Sequence, residues 1–189
     1  MKTKTLVLIA VCIAVNIALG QIVSILKLPI FLDAIGTVLS ALLMGPLVGA
    51  VTGLCTNLIW GLISGPIAAA FAPVSIAIGL TAGLLGRFGL FKSLPRAIIS
   101  GVIVTVIVTL VATPIRTYLF GGVTGSGADF FVAYFNAVGQ KLIQSVAWTV
   151  IGTNLIDKVL SCLIAWAIIK NMPDRVRLQF PYVNKVRGE

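Results

Sequence analysis

The chain's 189 residues are 59% hydrophobic and only 10% charged, which leaves too much apolar surface for a soluble domain and defines a polytopic membrane protein. Its net charge of +9, from 14 lysines and arginines against 5 acidic residues, gathers at the ends of apolar segments, where it serves topology and lipid headgroups rather than nucleic acid. With no histidine in the chain, His-dependent general-base catalysis and His-ligated metals are excluded.

Taken in chain order, apolar runs between glycine and proline breakers predict an all-α membrane protein of six transmembrane helices, in one domain covering residues 1–189. The first helix covers 5–26 and ends at Lys27-Leu28-Pro29. Lys2 and Lys4 ahead of it resemble the start of a signal peptide, with Ala18-Leu19-Gly20 as a cleavage-like triplet. The apolar run continues past Gly20, however, so a retained helix is expected. The second covers 33–45, with Asp33 as its N-cap, and stops at Gly45-Pro46; the third covers 47–63, before Ser64-Gly65-Pro66. The fourth covers 68–85, with Pro73 in its first turns, and the fifth 95–119. A straight helix from Phe130 to Lys170, at about 1.5 Å per residue, would far exceed a bilayer. An outer loop and amphipathic segment are therefore assigned to 120–144, and the sixth helix to 145–169. Cys12, Cys55 and Cys162 each fall inside an apolar run as small hydrophobes, without the spacing of a disulfide or a zinc site.

Six spans put both termini on one side. Lys2, Lys4, Arg87, Lys92, Arg96, Lys170, Arg175, Arg177, Lys185 and Arg187 share that side, and only Lys27, Arg116 and Lys141 fall toward the other. The positive-inside rule then makes both termini cytoplasmic and the loops at 27–32, 63–67 and 120–131 external.

Ala10, Ala14 and Ala18 recur every fourth residue, so they share one face of the first helix and form a small-residue stripe. By spacing alone the stripe serves either internal packing or close approach of a partner. With this stripe, the short second helix reached through LPIFLDAIGT, the GGVTGSG outer loop and the NLIDK stretch of the sixth helix, nearly the whole chain resembles the substrate-binding S components of energy-coupling factor (ECF) vitamin transporters. The resemblance implies a prokaryotic, multi-pass cell-membrane protein that captures a vitamin or precursor from outside. It implies docking through Ala10, Ala14 and Ala18 onto an EcfT-type coupling subunit that works with two ABC-type ATPases, and inward delivery by toppling in the membrane. The chain has no G-x-x-x-x-G-K-[ST] loop, so ATP is expected to be used by the partner subunits and no cofactor by this one.

A ligand site should form where intramembrane polar groups converge. The candidates toward the outer helix ends are Gln21, Asp33, Thr37, Asn57, Trp60, Thr113, Arg116 and Tyr118, followed by Asn136, Gln140, Lys141 and Gln144 beyond the loop. Each has an alternative. Asp33 serves as a cap or a ligand contact; Trp60, Tyr118 and Trp148 as interfacial belt or site; Asn136 and Gln140, four apart, as a solvated face or a pair of presented amides. Arg116 either snorkels to headgroups or binds a carboxylate through its guanidinium fork, and the weak negative potential of the outer leaflet favours the site. Gly121, Gly122, Gly125 and Gly127 suit a lid over the ligand, or a plain connector. Asp157 needs a partner that the sequence does not name, and Asn154 with Asp157 reads as a structural polar cluster.

With Arg116 and Lys141 at the outer face the site is expected to be net positive, and an anionic vitamin, pantothenate first, follows. S components for pyridoxine, a pyrimidine precursor, folate or riboflavin are the alternatives, as is a stand-alone secondary carrier coupled through Asp33 or Asp157. An enzyme is not expected: no catalytic residue set and no metal-binding cluster stands out.

Overall fold

In the computed structural model, which describes residues 3–177, 179–180 and 182–187, glycine and proline set most of the helix boundaries. Lys2, one of the topology charges, lies outside the described residues. Helix α1 spans Thr3–Ile25 and α2 spans Ile35–Met44, ending at Gly45 with φ 100°. Pro46 opens α3 (Pro46–Ser64), and Gly65 separates it from the one-turn α4 (Pro66–Ala70). Then come α5 (Ala72–Arg87), α6 (Leu94–Pro114), a π-helical turn at Ile115–Leu119, α7 (Asp129–Ala137) and α8 (Leu142–Lys170). Two short helices, α9 (Asp174–Arg177) and α10 (Val183–Arg187), follow.

Three boundaries differ from the sequence expectation, each with a local cause. The fourth predicted helix is broken at Phe71 into α4 and α5, because Pro73 has no N–H to donate and so begins a helix rather than continuing one. The fifth changes to π geometry directly after Pro114, where the proline again removes an i→i−4 bond. The sixth starts at Leu142, so Gln144 belongs to its first turn and not to the preceding outer segment. There the Gln144 side chain accepts the Lys141 backbone N–H at 3.3 Å.

Among the described residues, four helical units are long and apolar enough to cross a membrane: Thr3–Ile25, Pro46–Ser64, Leu94–Leu119 and Leu142–Lys170. The shorter apolar helices α2 and α5 pack with them. Helix α2 is the central one, with Ile35, Gly36, Thr37, Val38, Ser40, Ala41, Leu42 and Leu43 all buried. Its side chains join Val74, Ile78, Val104, Val108, Val146 and Val150 in the apolar core. At about 15 Å, α2 reaches only half the depth of a hydrocarbon core. Beyond its N-terminal end the bundle is filled by the non-helical segment 28–34, which folds inward, and by a cavity. At the opposite end Val183 and Val186 of α10 join the core, and the Arg87 guanidinium donates to the Tyr182 hydroxyl at 2.5 Å.

Helices α3 and α5 cross with their backbones almost touching. A Cβ added at Gly79 would lie 2.3 Å from the Gly49 carbonyl carbon, so only glycine permits the approach. Gly79→Val is therefore expected to force the helices apart and destabilise the fold by about 1–3 kcal/mol or more, read as a lower thermal midpoint of the detergent-solubilised protein. An unchanged midpoint would show that the crossing tolerates separation.

Candidate functional site

A cavity of about 240 Å³ lies beyond the N-terminal end of α2, walled by α1, α3, α4, α5, α6, α8 and the segments 28–33 and 124–127. Most of its surface is apolar, with Phe31, Trp60, Phe71, Ile78 and Val108 among the walls. The Trp60 ring rests against Gly20 of α1, and its indole N–H donates to Ser64 Oγ at 2.9 Å and Gln21 Oε1 at 3.2 Å. Trp60 is thus a wall of the cavity held in one orientation, whereas Tyr118 and Trp148 are exposed on the outside of the bundle.

Four of the predicted binding residues line this cavity: Asp33, Asn57, Trp60 and Arg116. Asn57 is buried and braced, donating to the Ala68 carbonyl at 2.8 Å and accepting from Ser75 Oγ at 2.7 Å, which ties α3 to α4 and α5. Asp33 is not a cap. Ala34 occupies the N-cap position of α2 with no side-chain cap bond, and the Asp33 carboxylate instead lies 3.6 Å from the Lys158 ammonium.

The other predicted contacts fall elsewhere. Thr37 is buried between helices, where its hydroxyl accepts from Asn16 Nδ2 at 2.9 Å. Asn16 also donates to Thr56 Oγ1 at 3.1 Å and accepts the Gly36 N–H at 2.7 Å, so one amide knits α1, α2 and α3 together. Asn136, Gln140, Lys141 and Gln144 are exposed and outside the cavity. Asn136 accepts from Ser145 Oγ at 2.7 Å and so pins α7 to the start of α8.

Arg116 has its charge and much of its hydrogen bonding used internally. It is 2% exposed; its Nε donates to the Gly122 carbonyl at 2.9 Å and its Nη2 to Asp129 at 2.5 Å. The π-helical turn after Pro114 carries the side chain into this position. Asp129 is the organiser of the glycine-rich loop, since it also accepts from the backbone N–H groups of Thr124 at 3.1 Å and Gly125 at 2.7 Å and from the hydroxyls of Thr124 and Ser126. Gly125 and Gly127 line the cavity, whereas Gly121 and Gly122 do not. Gly122, buried at φ 87°, makes the turn that aims its carbonyl at Arg116. The predicted lid is thus a pinned cover, and the two cations expected to make the site positive do not do so, because Arg116 is paired with Asp129 and Lys141 is exposed and does not line the cavity.

The cavity is also lined by a cation that was not among the expected binding residues. Lys158, 2% exposed, lines it and pairs directly with the fully buried Asp157 as well as facing Asp33. The second carboxylate oxygen of Asp157 accepts the backbone N–H of Leu32 at 2.7 Å and of Phe31 at 3.4 Å. Asn154, one turn earlier, also lines the cavity. Lys158 was legible by one signal, a cation in the middle of an apolar span, where charges mark sites or partners.

A bundle of apolar helices around a ligand-sized, mostly apolar cavity with a few convergent polar groups defines a membrane protein built to hold a small solute. The family model for the substrate-specific component of ECF transporters matches residues 4–169, and the chain belongs to that family. No curated protein and no solved structure matches it. The family is one of transporter substrate-binding subunits rather than of enzymes.

Proposed function

We propose that this chain is the substrate-capture subunit of an ATP-driven ECF importer in a prokaryotic cell membrane, taking a small water-soluble vitamin or vitamin precursor from outside. The cavity carries the reading: it is walled by parts of six helices and lies at the end of the bundle away from α10, where the segments 28–33 and 124–127 and the α3–α4 junction line it. If the shorter helices α2 and α5 count beside the four long helical units, six spans with cytoplasmic termini would put that end of the bundle at the outer surface. An EcfT-type coupling subunit and two ABC-type ATPases would supply the energy, with ATP used by them and no cofactor bound here.

Support for docking comes from α1. Ala10, Ala14 and Ala18 are all exposed, beside exposed Val7, Val11 and Val15, so this face is not consumed by the bundle's own packing. Pantothenate, expected from a free Arg116, loses that support because the guanidinium is already paired.

Reconstitution tests the proposal. Liposomes containing this chain with EcfT and the ATPases are expected to accumulate the vitamin only with ATP. Uptake at full rate by the chain alone would establish a stand-alone carrier instead. Ala14→Trp should abolish co-purification with EcfT while leaving ligand binding intact, because the added ring projects from an exposed face. Unchanged co-purification would move the docking surface elsewhere.

A further inference from the structure

We infer that the solute held in this cavity is an organic cation, and that Asp33 is the residue that selects it. The inference rests on the capture reading above and adds the charge of the ligand.

The five titratable groups around the cavity do not balance when each carries its ordinary charge. Arg116 is bonded to Asp129 and to a carbonyl, and Lys158 is paired with Asp157; both cations have side chains only 3% exposed. Asp33 is the charged lining group left over. Its side chain is 22% exposed, and its nearest cation, Lys158 at 3.6 Å, is shared with the closer Asp157. Two cations against three carboxylates leave one negative charge inside an apolar bundle. Lys27, whose ammonium donates to the Gly125 carbonyl at 2.8 Å, is exposed to solvent, so water and salt screen its contribution at depth. A partly buried carboxylate without a full partner is costly, and a ligand that brings a positive charge to it recovers that cost.

The walls point the same way. Phe31, Trp60 and Phe71 line the same cavity as Asp33. Aromatic rings attract a desolvated cation over their free faces, and rings beside one carboxylate are a cation-binding chemistry; one face of Phe71 is taken by Phe120, with 5.9 Å between ring centroids. An anion entering here would meet Asp33 with both basic side chains already engaged, and so would have to break an existing ion pair.

The test uses the purified full chain in lipid nanodiscs, with ligand binding read by thermal shift and tryptophan fluorescence. The probes are thiamine and pyridoxamine as cations, pyridoxine and riboflavin as neutral molecules, and 4-pyridoxate, pantothenate and folate as anions. A cation is expected to bind at least about tenfold more tightly than any anion, and Asp33→Asn to weaken the cation by at least about tenfold without weakening the others. Tightest binding by an anion or a neutral probe overturns the charge assignment and leaves the capture reading standing, as does cation binding indifferent to Asp33→Asn. Binding of no probe overturns the capture reading and the inference with it. Should Asp33→Asn fail to fold, the charge ranking of the wild-type chain decides alone.

Discussion

Replacing Asp157 with leucine is expected to cost about 3–5 kcal/mol of stability, the range for stripping one partner from a buried ion pair. Two losses add. Lys158 would keep only Asp33, 3.6 Å away, as a counter-ion in a buried setting. The backbone N–H groups of Phe31 and Leu32 would lose their acceptor at the point where the 28–34 segment passes α8. Leu32 sits at φ 50°, a left-handed conformation that costs a branched side chain about 1–3 kcal/mol and persists only when its surroundings impose it. Asp157 is the group that imposes it, so its loss should release the segment as well as destabilise the bundle. Thermal denaturation in detergent measures the first effect, and hydrogen exchange over residues 28–34 the second. Asp157→Asn retains a carbonyl for the Leu32 N–H and should protect the segment better than leucine does, while still leaving Lys158 short of a charge. Asp157→Leu combined with Lys158→Leu should recover part of the lost stability, because the buried ammonium leaves with its main partner and the carboxylate that then lacks a cation, Asp33, is 22% exposed. If the double variant is no better than the single, the cost lies in the backbone contacts and not in the ion pair.

Asp157 also shows where reading the sequence stops. Helix positions follow from neighbours in the chain: Gly45-Pro46 and Gly65-Pro66 break helices wherever they occur, and apolar runs between them have few other fates. The partners of Asp157 are different in kind. Leu32 is 125 residues away in the chain and contributes only a backbone N–H, which every residue but proline possesses and no side-chain pattern advertises. The same holds for Asn16, whose role depends on three helices meeting at one point. Asn57 and Trp60, which line the cavity, stood out in the sequence because a polar or aromatic group in an apolar span needs a reason wherever it stands. Asn136, Gln140, Lys141 and Gln144 obeyed the same logic but lie past the end of the bundle, where water supplies the reason. Asp129 was within reach: a carboxylate closing a loop of glycine, serine and threonine is a natural acceptor for that loop's N–H groups, and Arg116 is 13 residues before it.

That pair gives the sharpest contrast between the two roles open to Arg116. Arg116→Ala is expected to destabilise the protein by about 3–5 kcal/mol and to weaken any ligand of the cavity, because Asp129 would be left partly buried without its cation. The Gly122 carbonyl loses its donor at the same time. The segment Thr124–Gly127, which walls the cavity, should then loosen, and limited proteolysis within 121–128 should speed up. All of this would also appear if Arg116 bound the ligand directly, so the deciding variant is Asp129→Ala. If Arg116 acts by holding the loop, removing Asp129 breaks the same structure and weakens binding in the same direction, since the backbone N–H groups of Thr124 and Gly125 lose their acceptor too. If Arg116 is the ligand's own partner, removing Asp129 frees the guanidinium fork and an anionic ligand binds more tightly. The two roles thus predict opposite signs for Asp129→Ala, measured as a dissociation constant in nanodiscs. The buried geometry of Arg116, with its charge engaged by Asp129 and its Nε by Gly122, predicts weakening.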